Sequence, residues 1–150
     1  ANHRKRFVKS PKIHFVDSGL ACHLLGIRSE DQLSTHPLRG AIFESWVASE
    51  IWKWRLHRGL PPDLFHVRRV RGAEVDLWID AKRERIPVEV KSARTLSRAL
   101  LDETQRKTQG LISEEAAVAP LRIVYGGSTP QRRYALEVVP WHEVAEHRWD

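Results

Sequence analysis

An α/β domain with a mixed central sheet is the fold class the sequence predicts, on three observations. Residues 41–58 carry apolar side chains at helical spacing. Three runs with strand-like alternation then follow within 35 residues, at about 64–70, 73–80 and 85–92. A polar helix over 97–113 leads to two more apolar runs, at 121–125 and 134–139. A meander followed by a helical crossover joins antiparallel to parallel strands in one sheet. The 150 residues suffice for one such domain with a real core.

Each element has a local reason. Residues 1–10 are basic and linker-like, and KIHFV at 12–16 reads as a short strand. Asp17 or Ser18 caps a short helix, GLACHLLGI, with Gly26 near its end. Residues 28–39 are polar and read as loop. In the 41–58 helix, Phe43, Trp46, Val47, Ile51 and Trp54 form one stripe, with Glu44 on its flank. Glu50 projects near the centre of that stripe, so we expect it to be paired or to face a polar pocket. Gly59 and Pro61-Pro62 stop the helix. Arg71-Gly72 is a tight turn that suggests a hairpin. In the second run, Val75, Leu77 and Ile79 point one way and Glu74, Asp76, Trp78 and Asp80 the other. In the third, Val88 and Val90 back a face that carries Glu89 and Lys91. GGSTP marks the turn between the last two strands, and 140–149 reads as a short terminal helix. The division expected is a small N-terminal segment, 1–36, and a main domain, 37–150.

Composition narrows the partners. The net charge is +6 and the pI about 9.9, which favours a polyanion such as DNA. No apolar run approaches the roughly 20 residues needed to cross a bilayer, and no signal-peptide pattern is present, so no membrane is expected. A single cysteine, Cys22, excludes an internal disulfide and points to a reducing, cytoplasmic setting. The histidines show no ligand spacing and read as surface or packing residues. The chain opens on Ala and holds no Met, which suggests an excised domain.

Three acidic positions and one lysine stand out: Glu44 on the helix, Asp76 on the second strand, Glu89 and Lys91 on the third. Adjacent antiparallel strands can bring Asp76 to Glu89. Two carboxylates held together repel, and a divalent cation relieves that cost. Magnesium, or manganese, would then lower the pKa of a bound water, while Lys91 orients it or neutralises developing phosphoryl charge. The plainer alternative is a solvated ion pair on an outer face. For Trp78, on the Asp76 face, core packing is the expected role. Arg68, Arg69 and Arg71 around the hairpin are candidate phosphate contacts; a solubilising face is the alternative.

GAIFESWVASEIWKW, AEVDLWID and IPVEVKS together resemble the PD-(D/E)XK nuclease superfamily. That resemblance implies a restriction-endonuclease-like α-β-β-β-α-β core. It implies metal binding by Glu44, Asp76 and Glu89, and catalysis by Asp76, Glu89 and Lys91. Val75-Asp76 stands where the superfamily usually has Pro-Asp. Gln105 and Lys107 on the following helix are candidates for an assisting role. Over nearly the whole chain, KSPKIHFVDSGLACHLLGI, HPLRGAIFESWVASEI, EVDLWI and PVEVKS resemble the uncharacterised C-terminal domain of a prokaryotic AAA+ ATPase family. An upstream ATPase domain is thereby implied, since no GxxxxGK[ST] motif lies within this chain. The expected function is magnesium-dependent hydrolysis of a DNA phosphodiester. The alternative is an inactive nuclease-fold module that binds DNA or protein. Dimerisation through apolar residues in 12–27 is a further form of that alternative.

Overall fold

The computed structural model describes residues 12–68, 74–113, 117–133 and 136–150. Three helices come first: α1 (Ser18–Leu24), α2 (Glu30–Thr35) and α3 (Arg39–His57). Strands β1 (Leu64–Arg68), β2 (Glu74–Ala81) and β3 (Glu84–Lys91) follow, then α4 (Arg98–Ile112). Strands β4 (Leu121–Tyr125), β5 (Gln131–Arg133) and β6 (Leu136–Pro140) and a 3-10 turn, Trp141–Glu143, complete the order.

The six strands form one sheet in the order β1-β2-β3-β4-β6-β5. β1, β2 and β3 pair antiparallel; β3, β4 and β6 pair parallel; β5 returns antiparallel to β6. A parallel neighbour requires a crossover, and α4 supplies it between β3 and β4.

The strand alternation sorts side chains onto two cores. Leu77, Ile79, Val88, Val90, Val124 and Val139 meet Val47, Ile51 and Trp54 of α3. On the other face, Leu121, Ile123, Tyr125, Leu136 and Val138 pack with Leu101 of α4, and Trp78 packs with Leu111. Trp78 is therefore a core residue, as expected. Each fully buried Val or Leu contributes about 1.5–3 kcal/mol, so the two layers together hold the sheet between helices. Glu50 is paired, with Lys53 one turn on.

Arg55 is a structural cation. It is buried, and its guanidinium donates to the carbonyls of Pro61, Asp80 and Trp149 at 2.8, 2.9 and 2.7 Å. One side chain thus ties the end of α3 to β2 and to the C-terminal segment.

Several expectations are corrected. Residues 12–16 form no strand: Lys12 and His14 turn toward polar groups of α3, and the stretch is held by side chains rather than a ladder. Residues 28–39 are not all loop. Ser29 caps α2 by accepting from the Gln32 amide at 3.3 Å, and Glu30 and Asp31 in its first turn suit the helix dipole. The S-x-x-Q signal was present, but Leu33 is the helix's one large apolar residue. β6 begins at Leu136, with β5 as an extra short strand; residues 134 and 135 lie outside the described residues. The expected terminal helix is a 3-10 turn after Pro140.

Candidate active site

The β2–β3 register runs from Leu77↔Val88 to Ala81↔Glu84. Beyond it, the Asp76 carboxylate does the work of a main-chain acceptor: Oδ2 takes the Val90 amide at 2.9 Å. β3 meanwhile stays paired with β4 as far as Lys91↔Tyr125. Asp76, Glu89 and Lys91 therefore gather where β2 and β3 part. They line one pocket of about 290 Å³, roofed by Leu100, Thr104 and Lys107 of α4.

Burial makes this cluster electrostatically tense. Glu89 is 6% exposed, and its carboxyl is pushed up to about 7 by burial first and by the Asp76 charge second. The Lys91 ammonium, 2.7 Å from Glu89 Oε2, opposes that rise. Burial disfavours the Lys91 charge, but Glu89, Asp76 and Glu44 together outweigh it and raise the lysine.

Glu44 reaches the same cluster from α3. Its carboxyl is raised by burial, and Lys12 partly offsets this. Lys12 forms an ion pair with Glu44 Oε1 and lies 3.8 Å from Asp76 Oδ1. Among the described residues, the buried Glu44 Oε1 meets no hydrogen-bond donor in good geometry. His14 Nε2 stands 4.0 Å from Glu44 Oε1. His66 Nδ1 lies 3.3 Å from the Asp76 carbonyl oxygen, and its Nε2 is 3.5 Å from Glu74.

Glu44, Asp76, Glu89 and Lys91 are thus brought together. Lys107 reaches the pocket but is paired with Glu103 at 2.5 Å, and Gln105 is not among the pocket's lining residues. Arg68 is exposed and 3.7 Å from Glu74; Arg69 and Arg71 lie outside the described residues. Sequence reasoning missed Lys12, His14 and His66. His14 and His66, read as surface or packing residues, border the cluster. The alternation of Lys12 and His14 was visible, but nothing local named their partner.

Among the described residues, no group of three or more His, Cys, Asp or Glu side chains is arranged to hold a metal ion. Magnesium, however, is commonly held by one or two carboxylates completed by water and phosphate oxygens. The oxygen-only Asp76–Glu89 pair, its Glu89 carboxyl held up to about 7 by burial and then by the Asp76 charge, fits that ion. Glu44, the third carboxylate of the cluster, is engaged by Lys12.

Fold and site define a mixed α/β domain with a buried carboxylate–lysine cluster at a strand fork. The chain belongs to the family described as domain of unknown function DUF4143, whose model matches residues 39–144. That match spans α3 through β6 and so includes Glu44, Asp76, Glu89 and Lys91. Uncharacterized proteins of Mycobacterium bovis and Mycobacterium tuberculosis are each 33% identical over 97 residues, covering 65% of this chain. The chain spans 21% of the length of these relatives. No solved structure matches it. Among the described residues, no helix is long and apolar enough to cross a membrane.

Proposed function

We propose that this domain is a divalent-cation-dependent nuclease module of the PD-(D/E)XK type that hydrolyses DNA phosphodiesters beside an ATPase domain in a longer cytoplasmic protein. The observation that carries the reading is the meeting of Asp76 and Glu89 at the fork, with Lys91 2.7 Å from Glu89. The order α3, β1, β2, β3, α4, β4 supports it, because it repeats the helix and strand sequence of that superfamily's core. The net charge of +6 suits a polyanionic substrate. The greater length of the mycobacterial relatives leaves room for an ATPase domain.

Asp76 and Glu89 would hold magnesium or manganese, with Glu44 as a further ligand. The bound ion would supply Lewis acidity toward a phosphoryl oxygen and acidify a water. Lys91, fixed by β3, would donate to the attacking water or to the charge gathering on phosphate. α4 roofs the pocket, so it would limit water access around the reacting group.

Calorimetric titration of Mg²⁺ and Mn²⁺ tests the site. Wild type should bind and Asp76→Ala/Glu89→Ala should not. Metal-dependent cleavage of DNA lost in Glu89→Ala and Lys91→Ala would extend this to catalysis.

A second reading has its own support. Lys12 and Lys91 already neutralise the carboxylates, and Ile13, Val16, Leu20 and Leu24 are exposed. On this reading the domain is an inactive nuclease-fold module that binds DNA or protein, or dimerises, in service of the ATPase. DNA affinity without products, or a stable dimer by light scattering, would favour it.

A further inference from the structure

We propose that Lys12 is a tethered cation of the carboxylate site, and that residues 12–16 must release it before a divalent ion can engage both Glu44 and Asp76. The inference rests on the reading of that site given above.

The Lys12 ammonium bridges α3 and β2 at the cluster: it pairs with Glu44 Oε1 and lies 3.8 Å from Asp76 Oδ1. A divalent ion held by the same two carboxylates would occupy the same space. An ammonium offers a single charge and three donors, so it relieves repulsion without the Lewis acidity of a metal. Lys12 therefore quiets the site rather than completing it.

Its mounting differs from that of Lys91. Lys91 belongs to a paired strand and cannot leave without breaking the sheet. Lys12 lies on a stretch with no regular structure. Ile13 and Val16 there are 83% and 60% exposed, so little apolar burial retains the stretch. A cavity of about 220 Å³ remains between His14 and Phe15 on one side and Ala48, Trp52 and Leu77 on the other. The polar anchors are Lys12 itself and His14, whose Nδ1 is 3.4 Å from Ser45 Oγ. Because the ion pairs that neutralise Glu44 and Asp76 also seat the segment, metal affinity and segment release are reciprocally linked. Whatever pulls on residues 12–16 opens the site, and whatever fills the site frees them.

The test is a calorimetric Mn²⁺ titration of wild type, Lys12→Met and Asp76→Ala/Glu89→Ala. Lys12→Met keeps the aliphatic stem and removes the charge. It should bind Mn²⁺ about tenfold more tightly than wild type, as expected for one competing partly screened ion pair removed. Equal or weaker affinity in Lys12→Met, with binding lost in the double variant, would overturn the competition and leave the site standing. No Mn²⁺ bound by any of the three proteins would overturn both. Should Lys12→Met misfold, a nitroxide on Ile13→Cys in a Cys22→Ser background gives the second readout. Its mobility should rise on adding Mg²⁺; unchanged mobility at saturating Mg²⁺ would refute the release.

Discussion

Replacing Glu89 with Gln removes one charge from the most buried carboxylate of the cluster while keeping its shape. In the folded chain the Glu89 carboxyl is held up to about 7, against 4.5 for an ordinary glutamate, by burial and by Asp76. At about 1.4 kcal/mol per pH unit, ionising it in place costs at most about 3.5 kcal/mol of folding free energy. Because the folded pKa is the higher one, the native state binds more protons than the unfolded chain between pH 4.5 and 7. The stability due to neutral Glu89 is thus complete below the lower value and is lost as pH rises through the upper one. Glu89→Gln never ionises, so it should match wild type near pH 4.5 and exceed it by about 1–3 kcal/mol at pH 8. Lys91 keeps Asp76 and Glu44 as counter-charges in the variant. Urea unfolding in chelator would read this directly: with a slope near 2 kcal/mol per M, the midpoints should separate by about 1 M at pH 8. Parallel pH profiles for the two proteins, or a less stable variant at pH 8, would refute the burial argument. Added Mg²⁺ should then raise the wild-type midpoint and leave the variant unmoved.

Other perturbations address the frame and the surface. Arg55→Ala strands three carbonyls and should cost at least about 3 kcal/mol, with Arg55→Lys recovering only part; a urea midpoint within error of wild type would contradict the three-way tie. At Gly127 an added Cβ would sit 2.2 Å from the Tyr125 ring and 2.4 Å from the Arg94 carbonyl, so Gly127→Ala should lower stability by about 2 kcal/mol or more in thermal melts. Arg68→Ala breaks a loose, exposed contact with Glu74 and should change stability by less than about 0.5 kcal/mol. If Arg68 meets a DNA phosphate, the same variant should reduce the salt slope of DNA binding by about 0.9; an unchanged slope removes it from the interface.

Much of the frame was legible because its signals are local. The alternation in β3 assigned Val88 and Val90 to the core and Glu89 and Lys91 to the opposite face, as found, whereas in β2 Val75 packs with Trp78 and Leu111 rather than with Leu77 and Ile79. The stripe on α3, the Asp17 cap and the stop at Gly59, whose φ is +64°, each depend on a few neighbouring residues. The same locality explains the errors. KIHFV has strand composition, but a strand needs a partner edge, and Lys12 and His14 found side chains instead. α2 was overlooked because it buries none of its residues, so its hydrophobic pattern is weak and only its cap speaks for it.

By itself the sequence determined which residues could share a face: Asp76 on one strand, Glu89 and Lys91 on the next, Glu44 on the helix before them. Periodicity of 2 and 3.6 residues is written in each short stretch. Only the tertiary structure decided what those residues meet. It made Asp76 cap the Val90 amide where the strands part, drove Glu89 toward neutrality by burial, and delivered Lys12 to Glu44 and Asp76. Those outcomes depend on distance and dielectric between segments far apart in the chain, and neither quantity exists until the chain has folded.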